Sequence, residues 1–211
     1  MIDTKAAASH LAKADPVMAR LIAEVGPITV RRAASNAFQA LARSIIFQQL
    51  SGKAAGTIHD RFVALFADRV DEGFPSPADV LSAKDEQLRS AGLSRQKAAA
   101  VRSLAEHFVS GKLGPQTFEA PDDTEILERL TGVRGVGRWT AEMFLMFHLQ
   151  RPDILPVNDV GINRAIRTRY GLAAGPAPDE VLRIGAPWRP WATVACLYLW
   201  RSEDTRLPAW D

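Results

Sequence analysis

Apolar residues along this chain recur at three- and four-residue intervals, and no long stretch alternates with period two. The pattern predicts helices. Phe38, Leu41, Ile45 and Ile46 form one stripe of a helix over about Ser35 to Leu50. Ile58, Phe62, Val63 and Phe66 mark a second over about Lys53 to Phe66, and Val101, Leu104 and Phe108 a third from Ser94 to about His107. Other helices announce themselves by their ends. Residues 1–16 read as a polar lead into a helix, and Asp15-Pro16 is a cap followed by proline at the first helical position. Ser76-Pro77 starts a short helix, and Asp122-x-x-Glu125 fits a capping box ahead of Ile126, Leu127 and Leu130. Turn residues cluster at Glu72–Pro77, Gly111–Asp122, Arg151–Asn158 and Gly171–Pro178. The expected fold is all-α: roughly ten helices joined by short loops, without internal repeats or a long flexible linker.

Composition narrows the class. A chain of 211 residues, 47% apolar and 24% charged, suits one large domain or two small lobes and excludes intrinsic disorder or a fibrous protein. The single Cys196 excludes an internal disulfide, a cysteine-rich zinc site and a four-cysteine iron–sulfur cluster. It falls in an apolar helix, where an inert buried thiol is expected. His10, His59, His107 and His148 are scattered without ligand spacing, so no conventional metal site is expected. The N-terminus lacks the apolar core of a signal peptide. The apolar run Trp191–Trp200 is about half the ~20 residues a membrane helix needs. A soluble intracellular protein with no membrane association is the expectation. Net charge is only +2, though 20 of the 26 basic residues are arginine, the better bidentate phosphate ligand.

One segment changes the picture: Leu130-Thr-Gly-Val-Arg-Gly-Val-Gly-Arg-Trp-Thr-Ala141, with glycines at 132, 135 and 137 between two apolar helices. A dinucleotide fingerprint fails here, because the third glycine is missing and a helix precedes instead of a strand. A phosphate-binding G-x-x-x-x-G-K-[ST] loop fails too: the pair Gly52-Lys53 has Ala54 next and no upstream glycine. A helix–hairpin–helix remains. Glycines permit a very tight turn and close approach of phosphate oxygens to backbone N–H groups, and a second helix starting at about Arg138 adds its own unsatisfied N–H groups. Such a contact positions a DNA backbone and carries no sequence information. The plainer alternative is a tight turn between packed helices with no ligand. Charge favours the first reading. Residues 129–169 hold seven arginines against three acids, a local +4, whereas residues 119–128 hold five acids and no base.

The hairpin, followed by a proline-containing loop and Asp159 at 22 residues after Gly137, resembles the helix–hairpin–helix base-excision DNA glycosylase superfamily (the HhH-GPD fold). Arg43-Ser-Ile-Ile-Phe-Gln-Gln-Leu-Ser51, Gly137-Arg-Trp-Thr-Ala141 and Trp188-Arg-Pro-Trp191 extend the resemblance from about residue 30 onward, and it is closest to the DNA-3-methyladenine glycosylase II, or alkylbase, branch. The resemblance implies one catalytic unit over residues 1–211 in two helical lobes. Lobe one spans about 31–150 with the hairpin, and lobe two about 1–30 plus 151–211. It implies that Asp159 is the catalytic carboxylate, which stabilises the positive charge built on the sugar as an N-glycosidic bond breaks, or orients the attacking water. Asn158-Asp159 also directly precedes the amphipathic segment Val160, Ile162 and Ile166, so Asp159 reads equally as a helix N-cap, and both roles are compatible. In the branches that also nick DNA, the position two after the last hairpin glycine holds a Schiff-base lysine. Here it is Trp139, and no lysine follows Lys112, which implies a monofunctional enzyme without AP-lyase activity.

The same resemblance places Trp139, Trp191 and Met143 around the base pocket, where aromatic faces favour a cationic alkylated purine such as 3-methyladenine or 7-methylguanine. Trp188 and Trp200 read better as core. Gln49 or Leu50, in the turn Gln48–Ser51, is the expected wedge that plugs the gap left by a flipped base. Gly135, Val136, Gly137, Arg138 and Thr140 are the expected phosphate contacts. The carbonyls of Thr131, Val133 and Val136 are the expected ligands of a monovalent cation (sodium or potassium), with no required cofactor and no iron–sulfur cluster. The implied partner is double-stranded DNA holding damaged bases, met by a monomer in a bacterial cytoplasm or a nucleus. Two alternatives stay open: a non-catalytic protein that binds damaged DNA, and a glycosylase for deaminated or oxidised bases.

Overall fold

The computed structural model of the protein describes residues 2–30, 35–69, 73–119 and 122–203. Of the expected turn segments, Glu72 and residues 120–121 lie outside the described residues. In chain order the described helices are α1 Thr4–Ala14, α2 Pro16–Val25, α3 Ala37–Phe47, α4 Gly52–Ala64, α5 Pro77–Ser82, α6 Asp85–Ser90, α7 Arg95–Val109, α8 Pro115–Phe118, α9 Asp123–Thr131, α10 Arg138–Met143, α11 Val160–Arg169, α12 Pro178–Gly185 and α13 Ala192–Ser202, with no strand among the described residues. The fold is all-α. It exceeds the expected ten helices because α6, α8 and α12 have only six, four and eight residues, too few to write a periodic stripe. α8 sits inside a segment whose glycine and proline read as a turn.

Caps set most boundaries. Asn36, Ser51, Ser76 and Ser94 accept from backbone N–H groups in the first turns of α3, α4, α5 and α7, so these residues precede their helices. The helix expected to reach Leu50 ends at Phe47, because Gln48 turns to ψ 132° and Gln49 enters the left-handed region at φ +56°. At α9 the expected capping box is half formed. Asp122 accepts from Thr124 N at 2.8 Å, while Glu125 pairs instead with Arg129 at 2.7 Å.

The chain divides into two compact units, Met1–Ala33 with Leu145–Asp211, and Ala34–Phe144. The contiguous unit holds α3 to α10. α7 is its spine, packed against α3, α5 and α6. Its core takes Phe38, Leu41, Ile45 and Ile46 from α3, Phe62 from α4, Val101 and Leu104 from α7, and Ile126 and Leu130 from α9. Phe38 meets Phe108 and Phe74 edge-on at 5.3 and 6.1 Å, and each such pair contributes about 0.5–1.5 kcal/mol beyond area burial.

The other unit is built round α13. Ala192 to Trp200 are buried without interruption, and a helix apolar on all sides must be surrounded. α1, α2 and α11 pack against it. Asp15 ties this unit together. It caps α2 through Oδ1, and its Oδ2 accepts from Tyr170 Oη at 2.5 Å and Trp188 Nε1 at 3.0 Å. Burial first, and then the Asp15 hydrogen bond and charge, hold the Tyr170 hydroxyl pKa above its ordinary value. The helical run from Arg138 continues as a π-turn over Phe144–His148, where the chain passes from one unit to the other. No helix among the described residues is long and apolar enough to cross a membrane.

Candidate functional site

In the contiguous unit, α9 ends at Thr131 and α10 starts at Arg138, so six residues turn the chain. The three glycines do different things. Gly132 is an ordinary right-handed C-cap, and it is Gly135 that needs its freedom. Its φ is +82°, and a Cβ there would stand 2.7 Å from Ala100 Cβ on α7. Gly137 is extended, caps α10 without a side chain, and has nothing within 4 Å of where its Cβ would lie. The first intrahelical bond of α10 is Ala141 N to Gly137 O, which leaves the N–H groups of Arg138, Trp139 and Thr140 unused by the helix ladder. Val133 and Val136 are buried and pin the turn from inside, with Val136 N donating to Val133 O at 3.0 Å.

The turn after α3 is fastened to this hairpin. Gln48 Nε2 donates to Gly135 O at 3.0 Å and to Thr140 Oγ1 at 3.4 Å. Lys97 Nζ donates to Ile46 O at 2.6 Å and Gln48 O at 2.8 Å, and partial burial lowers its pKa. Beyond this clamp Gln49 and Leu50 are exposed, Leu50 by 41%. On α10 Trp139 is 40% exposed and Met143 is fully buried, so of these two only Trp139 offers surface. The Arg138 guanidinium pairs through Nε with buried Glu142 at 2.9 Å and stays largely exposed.

In the other unit, Asp159 is the N-cap of α11 and is buried. Its Oδ1 accepts from Ile162 N at 2.8 Å and from Trp200 Nε1 at 2.9 Å. Trp200 is itself stacked on Phe147, with ring centroids 6.1 Å apart. Gly161 makes the arrangement possible: a Cβ there would meet Trp200 Cδ1 at 2.9 Å and Asp159 Oδ1 at 3.2 Å. The approach to Asp159 is a tight turn, Asp159 N donating to Pro156 O at 3.0 Å and Asn163 Nδ2 to Val157 O at 3.1 Å. Upstream, the segment after Arg151 is stitched to the start of α13 through Thr193, whose Oγ1 donates to Arg151 O and accepts from Ile154 N. Val160, next to Asp159, is 72% exposed. Trp191 is partly exposed as the N-cap of α13, and Cys196 is buried.

A family model described as HhH-GPD superfamily base excision DNA repair protein matches residues 42–190, which carry both the hairpin and Asp159. The chain belongs to the HhH-GPD superfamily. An alkylbase DNA glycosidase-like protein of Schizosaccharomyces pombe is 30% identical over 201 residues, 94% of this chain and 93% of that one. Among solved structures, a DNA-3-methyladenine glycosidase from Bacillus halodurans is 37% identical, with a TM-score of 0.85 over 94% of this chain and 89% of that one. A 3-methyladenine DNA glycosylase from S. pombe in complex with abasic DNA is 31% identical, with a TM-score of 0.79 over 97% and 98%.

For this HhH-GPD chain the expected residues thus fall into two sets. Gln49, Leu50, Thr131, Val133, Gly135, Val136, Gly137, Arg138, Trp139, Thr140 and Met143 belong to the contiguous unit, and Asp159 and Trp191 to the other. The local +4 is partly offset by acids outside the segment, since Arg129 and Arg169 pair with Glu125 and Glu24. Trp188 and Trp200 are core, as expected. Trp200 is also a donor to Asp159, and sequence reasoning missed that. Lys97, Gln48 and Gly161 were missed as well. Gly161 alone left a trace, a glycine two residues past a cap inside an apolar stripe. No group of three or more His, Cys, Asp or Glu able to hold a metal ion occurs among the described residues.

Proposed function

We propose that this chain is a monofunctional DNA glycosylase that releases alkylated purines of the 3-methyladenine and 7-methylguanine type from duplex DNA, with Asp159 as the catalytic carboxylate. The observation that carries this reading is the state of Asp159. A carboxylate buried in a protein interior is costly unless hydrogen-bonded. This one is fixed by a backbone N–H and an indole N–H, which supports the catalytic role that the resemblance implies for it. The names of the relatives support alkylated bases as substrate, and the S. pombe complex with abasic DNA supports DNA as partner.

The chemistry needs little else from the protein. A purine methylated at N3 or N7 already carries positive charge, so it departs as a neutral base with the bonding electrons and needs no proton donor. Positive charge then accumulates on the sugar, and a fixed carboxylate stabilises it without reorganising. Water completes the hydrolysis and leaves an abasic site. Trp139 stands where a lyase would need an amine, and its indole offers an aromatic face suited to a cationic base. Phosphate contact is assigned to the backbone of Gly135, Gly137, Arg138 and Thr140 at the hairpin and the start of α10, while Val136 N already donates to Val133 O. A monovalent cation suits the carbonyls of Thr131, Val133 and Val136 by donor type, neutral oxygens for a hard ion, with one lone pair of Val133 O already engaged by Val136 N.

Asp159→Asn tests the reading. Base release from a duplex holding 7-methylguanine is expected to fall by about 100-fold or more while affinity for undamaged duplex is retained. Near-normal release by the variant sinks the mechanism. Release of deaminated or oxidised bases by the wild type, in place of methylated ones, moves the substrate class.

A further inference from the structure

The end of α3 is held in an unusual way. An α-helix finishes with four carbonyls that lack helical partners and a partial negative charge. Here Ile45 O and Phe47 O accept from the backbone N–H groups of Gln48 and Leu50, each at 3.4 Å. Ile46 O and Gln48 O both accept from the ammonium of Lys97, which reaches across from α7 at 2.6 and 2.8 Å. The next residue, Gln49, then takes a left-handed conformation (φ +56°) that side chains other than glycine seldom adopt. A conformation of that kind persists only where its surroundings fix it.

Successive turns of α7 do the same for the hairpin. Ala100 lies against Gly135 so closely that no Cβ fits between them, and Ser103 Oγ accepts from Arg134 N at 3.3 Å. Gln48 closes the loop by donating to Gly135 O and Thr140 Oγ1. One helix therefore sets both the exposed pair Gln49–Leu50 and the hairpin, and a single glutamine fixes the distance between them.

We infer that Lys97 is a positioning residue for the turn that enters the DNA stack: by clamping Ile46 O and Gln48 O it holds Gln49 and Leu50 at a fixed offset from the hairpin, so that a contact on the phosphate backbone delivers the wedge to the damaged base. The inference rests on the glycosylase reading. It concerns opening the duplex and not bond cleavage, which makes it separable. Flipping costs least when the target base is already unpaired, so a wedge held loosely hurts only a paired target.

The test compares wild type, Lys97→Met, Lys97→Arg and Gln48→Ala in single-turnover base release and in equilibrium binding to undamaged duplex. Two substrates are used: 7-methylguanine opposite cytosine, and 7-methylguanine opposite an abasic-site analogue. Lys97→Met is expected to slow release about tenfold on the paired substrate and less than about threefold on the unpaired one, with undamaged-duplex affinity unchanged. Lys97→Arg regains most of the loss, and Gln48→Ala shows the same split to a smaller extent. Equal slowing on both substrates, or wild-type rates on the paired one, overturns the inference. Loss of undamaged-duplex binding by both Lys97→Met and Gln48→Ala also overturns it, since the pair then serves as scaffold for the whole hairpin. If the wild type releases no base from either substrate, it is the glycosylase reading that fails.

Discussion

Asp159 and the hairpin at Leu130–Ala141 reach their geometry by opposite means. Asp159 is a buried side chain, positioned by an indole from α13 and by its own helix, and space for it exists because residue 161 lacks a side chain. The hairpin offers exposed backbone, positioned by a left-handed glycine pressed on α7, and the residue at its mouth is an extended glycine facing open space. The difference matches what the proposed function asks of each. A carboxylate that answers a charge building on one atom must stand still in a dry setting. A surface that accepts phosphates must be reachable and indifferent to sequence.

The comparison breaks most sharply at Gly135. Gly135→Ala forces a Cβ against Ala100 and a strained φ, at an expected cost of about 2–4 kcal/mol in urea unfolding and a loss of duplex binding. Adding Ala100→Gly removes the clash but not the φ penalty, so it is expected to recover part of the stability. Full recovery would show that backbone conformation contributes nothing.

Trp200→Phe sharpens the other side. It keeps an aromatic ring for Phe147 and removes one charge-assisted donor, a bond worth about 1.5–3 kcal/mol, so base release is expected to slow at least about tenfold. Duplex binding is expected to stay put. A fall in binding equal to the fall in rate would mean that the indole serves the fold and not the carboxylate.

The smallest effect separates the cap at Asp15 from the cap at Asp159. The Tyr170 hydroxyl has its pKa raised in the folded protein, so between its ordinary value of 10.0 and the folded value the native state binds more protons than the unfolded one. Stability from this group is complete below about pH 10 and declines as pH rises further. Tyr170→Phe is expected to cost about 1 kcal/mol at pH 8 and to lack that alkaline decline, with base release unaffected. Urea midpoints at pH 8, 10 and 11 check it, and an identical decline in the variant removes Tyr170 as its source.

What the sequence made legible was local. The cap at Asp15, the helix start at Ser76-Pro77, the stripes on α3 and α7 and the glycine run of the hairpin are written within one or two turns, so spacing reveals them. The contacts that went unseen join distant residues. Lys97 is 51 residues from Ile46, and Trp200 is 41 from Asp159. A tryptophan in an apolar run reads as core because its indole N–H leaves no mark on periodicity. The left-handed Gln49 had no signal either, since the usual sign of positive φ is glycine or asparagine. The π-turn at Phe144–His148 hides because a single inserted residue barely shifts an apolar run.

α13 carries one further consequence. Nine consecutive residues, Ala192 to Trp200, have no face turned to water, and the last of them holds the carboxylate. Such a segment tolerates little change: a polar replacement along it must find a buried partner, and repacking near Trp200 bears on Asp159 through the indole hydrogen bond. Mutational tolerance in this unit and competence of the carboxylate are therefore a single trait, and attempts to stabilise the protein have freer room on the outer faces of α4 and α12 than on the helix that looks most like ordinary core.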